Sequence, residues 1–208
     1  MPKIVDKERK RSQIALRAVD VFAEHGFEAT SISQIAEAAG IGKGTVYEYF
    51  DSKEDLVTHA ITAWVEQASQ LAAGQLEGLD DPAERLRRFA ELSMEAFISD
   101  QRTVKVGIAM FLSLLSGGLP AHHDLIREMF RGFRKTIIDI LLDGVARGVF
   151  RPEVARDAER IAINLTAYLD GIGLHYYMSK DYIDVRKQVD FHIAHLLPSL
   201  APERAHSE

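Results

Sequence analysis

Residues Ser31 to Phe50, SISQIAEAAGIGKGTVYEYF, decide how the chain is read. Ser31 suits the N-cap of a helix, and Gln34 three positions on completes a capping box. Ile32, Ile35, Ala36 and Ala39 recur at helical spacing and form one small apolar face. Gly40 stands where that helix must end in a residue of positive φ, which glycine adopts without a Cβ penalty. Ile41 fills the corner. A second short helix follows, with Val46 and Phe50 one turn apart facing inward and Lys43, Thr45, Tyr47, Glu48 and Tyr49 facing out. Two short helices about a glycine turn are the layout of a helix-turn-helix, whose second helix lies in the major groove of DNA with its N-terminal residues on base edges.

Extended in both directions, the run GFEATSISQIAEAAGIGKGTVYEYFDSKEDL from Gly26 to Leu56 resembles the DNA-binding signature of the tetracycline-repressor (TetR) family of bacterial regulators. The shared elements are Thr30 and Ser31, Ile35 and Ala36, Ala39 to Ile41, Lys43 to Phe50, and Ser52 to Leu56. With the periodicities below, the resemblance implies a helix-turn-helix domain over residues 1–52. A long helix joins it to a larger helical domain for effector binding and dimerisation over residues 53–208.

Composition agrees with a globular chain. The 208 residues are 47% hydrophobic with a formal net charge of −6, enough length to bury a real core. An acidic balance argues against indiscriminate nucleic-acid binding, although local rather than net charge sets the field a phosphate feels. The absence of cysteine excludes disulfides, thiolate nucleophiles and thiolate metal sites. The start, MPKIVDKERKRSQ, is charged where a signal peptide would be apolar, and the apolar run Val106 to Leu115 is too short to span a bilayer. A cytoplasmic protein is expected.

Taken in order, residues Met1 to Asp6 read as a loose arm, and Lys3, Lys7, Arg9, Lys10 and Arg11 form the densest basic cluster. Set before a helix-turn-helix, that cluster suits phosphates or a minor groove. The first helix runs from about Lys7 to His25 and ends at Gly26. Ser52 to Asp55 opens a fourth helix reaching about Leu76, whose free N–H groups and Lys53 would suit an anion. Asp81, Pro82 and Glu84 mark the next start. From there every periodic segment reads as helix: the fifth from Pro82, a sixth over about Arg102 to Ser116, a seventh from near His123 to Arg147, an eighth over Val154 to Met178, and a ninth over Val185 to Leu197 before Pro198. The fold class is all-α, with about nine helices and no strand alternation.

The resemblance implies roles for the outward residues. Thr45 and Tyr49 match positions that usually touch phosphates, and Lys43, Gly44, Tyr47 and Glu48 match positions near bases. Ser33 and Gln34 match positions that sometimes reach bases, and Thr30, Ser31 and Lys53 complete the expected DNA contacts. The chemistry agrees: Lys43 suits the O6 and N7 of guanine, Glu48 can accept from the N4 amino group of cytosine, and Tyr47 can press on a thymine methyl. Against this stand plainer roles, in which Tyr47 or Tyr49 packs inside, Glu48 keeps the helix hydrated and Gln34 only caps.

Trp64, Phe89, Met94, Phe97, Met110, Phe111, Met129, Phe130, Phe133 and Tyr168 either line an apolar pocket or form plain core. Family members generally bind a small effector in this region, which favours a pocket collectively, and Asn164, Tyr168 and His175 are the polar candidates within it. Ile161, Leu165, Leu169, Ile172, Gly173 and Tyr176 on the eighth helix, with Val189, Ile193 and Leu196 on the ninth, are the candidate homodimer interface or else monomer core. A dimer would place two recognition helices roughly 34–36 Å apart on a near-palindrome. His122, His123 and Asp124 read as a solvated helix start, since adjacent histidines point apart; no metal, cofactor or catalytic constellation is expected. The reading is a dimeric, ligand-responsive repressor that binds an operator duplex and is released by a small, largely apolar effector. The alternatives are an all-α carrier or enzyme, and a DNA-binding adaptor controlled by a protein partner.

Overall fold

A computed structural model describes residues 2–26, 29–99, 120–179 and 181–203, and every regular element among them is an α-helix. The sixth helix predicted over Arg102 to Ser116 lies outside the described residues. Two units emerge: Met1–Leu71 with Asp100–Glu128, and Ala72–Ser99 with Met129–Glu208.

In the first unit, α1 (Pro2–His25) packs on α2 (Ile32–Ala38), and α2 packs on α3 (Lys43–Tyr47). Ile14, Ala15, Ala18 and Val19 of α1, Ile32, Ile35 and Ala36 of α2, Val46 and Phe50 at α3, and Leu56, Val57 and Ala60 of α4 (Lys53–Leu76) are all buried. The loose arm expected over residues 1–6 is instead drawn into α1 from Pro2, because proline at a first helical position lacks only an N–H that would be unbonded anyway. The capping box of α2 forms as expected. Ser31 Oγ accepts from the Gln34 N–H, and Gln34 Oε1 accepts from the Ser31 N–H at 2.8 Å. Gly40, at φ 66°, ends α2. Its N–H bonds to the Glu37 carbonyl and that of Ile41 to the Ala36 carbonyl, the paired bonds of a Schellman end.

The second unit holds α5 (Pro82–Ser99), α6 (Pro120–Ala146, shared with the first unit), α7 (Glu153–Met178) and α8 (Val185–Leu200). The predicted eighth and ninth helices are thus α7 and α8. Helix α5 packs on both α7 and α8, and these pack on each other. Leu86, Ile140, Leu141, Ala162, Leu165 and Ile193 are central to this core. Asp81 caps α5 by accepting the Ala83 N–H, and Glu84 pairs with Arg87 at 3.6 Å. The sequence predicts a stop at Leu197, yet α8 runs through Pro198 to Leu200. Burial of Leu200 holds the extra turn, and the Leu200 carbonyl accepts the Arg151 N–H at 2.8 Å. Among the described residues no helix is long and apolar enough to cross a membrane, and no cluster of His, Asp and Glu is suited to a metal.

Candidate nucleic-acid interface

Helix α3 has only five residues and no side-chain N-cap, so it cannot hold itself together in water. Val46 and Phe50 anchor it, both almost completely buried, each contributing about 1.5–3 kcal/mol by transfer from water. With that face fixed, Lys43, Gly44, Tyr47 and Glu48 are exposed and Thr45 and Tyr49 are half-buried. Tyr47 is 52% exposed, a large aromatic left out of the core on the helix expected to read bases. A side chain at Gly44 would meet nothing within 4 Å, so glycine leaves that surface low for an approaching duplex. Ser31 and Ser33 on the α2 side are exposed, and Gln34 is half-buried with its oxygen engaged by Ser31. Lys53 opens α4 and is half-buried.

Thr30 departs from its expected place. It is 2% exposed, and its hydroxyl donates to the Gly26 carbonyl at 2.7 Å, fastening the corner between α1 and α2. The basic cluster expected to approach phosphates divides between two places. The Lys7 ammonium lies 6.0 Å from the centroid of the Tyr49 ring, so the basic face of α1 adjoins α3. Arg11, from the same cluster, turns inward to Asp55 of α4, its Nη2 3.4 Å from Oδ2.

In the second unit, Phe89 and Met94 are buried, and Phe89 meets Phe133 edge to face at 5.8 Å. Phe133 keeps 39% of its surface exposed, while Met129 and Phe130 are half-buried. Met110 and Phe111 lie outside the described residues, as do the side chains of Trp64 and Phe97. Asn164 and His175 are exposed on α7. Tyr168 bridges α7 to α8: its hydroxyl donates to the Gln188 carbonyl at 2.7 Å and its ring stacks on His192 at 3.8 Å. Burial holds the His192 imidazole below its ordinary range, helped by the nearby His195, and pushes the Tyr168 phenol up.

Of the candidate interface residues, Leu165, Leu169, Gly173, Val189 and Ile193 are buried within the single chain. Ile161, Ile172, Tyr176 and Leu196 are partly buried against the same core. The most exposed apolar side chains on α7 and α8 are others, among them Ile163 at 47%, Leu174 at 42% and Phe191 at 63% exposed. Periodicity alone shows which residues share a face, and Ile163 and Phe191 fall off the main stripes.

Comparison with known proteins agrees with this arrangement. The description "Bacterial regulatory proteins, tetR family" matches residues 14–60, and "BetI-type transcriptional repressor, C-terminal" matches residues 82–198. The transcriptional repressor KstR2 of Mycolicibacterium smegmatis is 30% identical over 148 residues, 71% of this chain and 71% of that protein. A transcriptional regulator of Saccharomonospora viridis, solved in complex with choline, superposes with a TM-score of 0.79 at 25% identity, covering 95% of this chain and all of that one. The fatty acid degradation regulator FadR of Bacillus halodurans gives 0.74 at 26% identity over 90% of this chain and 94% of its own. These relatives are transcriptional regulators, not enzymes. With a buried-anchor helix-turn-helix at its start and family matches over both halves, the chain belongs to the TetR family of DNA-binding transcriptional regulators.

Proposed function

We propose that this regulator binds a near-palindromic operator as a homodimer, represses from it, and is released when a small, largely apolar effector enters its larger domain. Residues 1–52 read DNA, and residues 53–208 receive the effector and the second subunit. The observation that carries the reading is the outward face of α3, where Tyr47, Lys43 and Glu48 stand exposed while Val46 and Phe50 are buried beneath them. Lys43 donates to the O6 and N7 acceptors of guanine, and Glu48 accepts from the N4 amino group of cytosine or is repelled by the backbone. A DNA partner implies a cytoplasmic location.

The dimer is built through α7 and α8, where exposed Ile163, Leu174 and Phe191 offer apolar area for a two-fold contact. The effector is received near Phe89, Phe133 and Met129. An aromatic pair suits an apolar chain and equally a quaternary ammonium, the chemistry of the choline bound by the S. viridis neighbour. Release requires that the effector bind the two conformations of the regulator with different affinity, since equal binding shifts nothing. Helix α4 runs from the first unit into the second, and a change in its position would alter the spacing of the two recognition helices.

Selection from randomised duplexes tests the DNA half: enrichment of a near-palindrome, lost in Lys43→Ala and Tyr47→Ala, is expected. Failure of wild type to enrich any sequence at low salt would overturn it. A panel of fatty acids, choline and aromatic compounds tests the other half. A compound that raises the melting temperature should also weaken operator binding; one that raises the first and leaves the second unchanged speaks against release.

A further inference from the structure

We propose that Asp55 and Arg11 are positioning residues for the DNA-reading helix: their ion pair sets the angle at which α3 is presented and so contributes to sequence discrimination without touching DNA. The proposal rests on α3 being the helix that reads bases.

Asp55 lies in the first turn of α4 and ties together three separate segments. Its Oδ2 accepts the Asp51 N–H at 3.1 Å, the backbone just past Phe50. The same oxygen faces Arg11 Nη2 of α1 at 3.4 Å. Its Oδ1 lies 3.0 Å from His59 Nδ1, one turn along α4. Arg11 and His59 in turn flank Phe50, the residue that seats the end of α3. The guanidinium carbon is 5.3 Å from the ring centroid, and the imidazole meets it edge to face at 5.7 Å. The side chains of Arg11 and Asp55 are only 25% and 27% exposed, so the pair is screened less than an ordinary surface pair.

Two further observations give the cluster its sensitivity. Helix α3 is too short to fix its own orientation, so whatever holds its ends decides where Lys43 and Tyr47 point. Hydrogen bonds to base edges tolerate a few tenths of an ångström, whereas attraction to phosphates is long-ranged and forgiving. Moreover, Arg11 Nε is buried and finds no acceptor among the described residues, so the guanidinium depends on its Nη2 contacts and its place over Phe50. A disturbance at Asp55 therefore removes fine positioning while the non-specific attraction stays.

The experiment takes the operator selected by the wild-type chain and measures affinity for it and for a scrambled duplex, over a range of salt, with Asp55→Ala, Asp55→Asn and Arg11→Gln. Circular dichroism at the assay temperature identifies folded variants. All three should lose about tenfold in operator affinity, with scrambled-duplex affinity within about twofold of wild type and the salt slope unchanged. Should Asp55→Ala unfold, Asp55→Asn is read in its place, since it keeps an oxygen for the Asp51 N–H while losing the charge that holds Arg11. Equal losses on both duplexes, or a salt slope reduced by about one in Arg11→Gln, would make these residues phosphate contacts and overturn the proposal. Unchanged operator affinity would overturn it as well. If wild type selects no operator, the DNA-reading assignment itself fails; an operator bound equally by all variants sinks the positioning role alone.

Discussion

Lys7 of α1 and Tyr49 at the end of α3 stand together, the ammonium 6.0 Å from the ring centroid. The contact brings the basic start of the chain alongside the recognition helix, although the two residues are 42 positions apart in sequence. Both are expected to meet phosphates, which position a protein on a duplex without reading its sequence. Lys7→Ala should therefore weaken binding to operator and scrambled duplex alike and reduce the salt slope by about one. Fluorescence anisotropy over a salt series measures this, and a loss confined to the operator would contradict it.

The capping box of α2 sets a second expectation. Ser31 Oγ satisfies the Gln34 N–H, and Gln34 returns the bond at 2.8 Å. Ser31→Ala removes half of the box and should cost about 1 kcal/mol. Denaturant melts should show that loss, with Ser31→Asp close to wild type because aspartate also caps.

Two glycines on α6 should respond in opposite directions to the same change. A Cβ at Gly144 would collide with the ring of Phe150, which is almost fully buried, so Gly144→Ala should destabilise by about 1–3 kcal/mol. A Cβ at Gly132 meets nothing within 4 Å, so Gly132→Ala should stabilise by roughly 0.5–1 kcal/mol through helix propensity. Melting temperatures of the two variants decide it, and a shift of the same sign in both would refute the packing argument.

Asp170 supplies a pH-dependent expectation. It keeps an exposed edge on α7, yet burial by its surroundings pushes its carboxyl up to about 6. A carboxyl that binds protons more readily in the folded state than in the unfolded one costs stability as pH rises from its ordinary value to about 6, and the cost is complete above that. Asp170→Asn should therefore raise the melting temperature at pH 7.5 and leave it nearly unchanged at pH 4. Solvent at the exposed edge limits the gain to about 1 kcal/mol. An equal gain at both pH values would point to packing instead of charge.

Local chemistry was legible in the sequence wherever neighbours a few residues apart decide the outcome. Ser31 with Gln34, Gly40 after α2, Asp81 before Pro82 and the inward pair Val46 and Phe50 all announce themselves by spacing. Contacts across the chain were not. Nothing in the cluster Lys7 to Arg11 separates the residue that stays beside Tyr49 from the one that turns to Asp55, because the difference is made by helices 44 positions apart. Thr30 was expected at the DNA-facing surface together with Ser31, which is exposed, and only the fold reveals that the Thr30 hydroxyl points back to Gly26. The stripes of α7 and α8 showed which residues share a face; whether a helix of the same chain covers that face is a tertiary fact. Leu165 and Ile193 are covered, and Phe191 is not.

The brevity of α3 carries a consequence for how this regulator could change its target. The fold asks that helix for little beyond Val46 and Phe50, which sit inside, while the side chains that would choose an operator hang on positions with almost no structural duty. Stability and address are therefore written in different letters of the same short word. Lineages can respell the outward ones freely, and a new operator preference can arise without first passing through an unfolded ancestor.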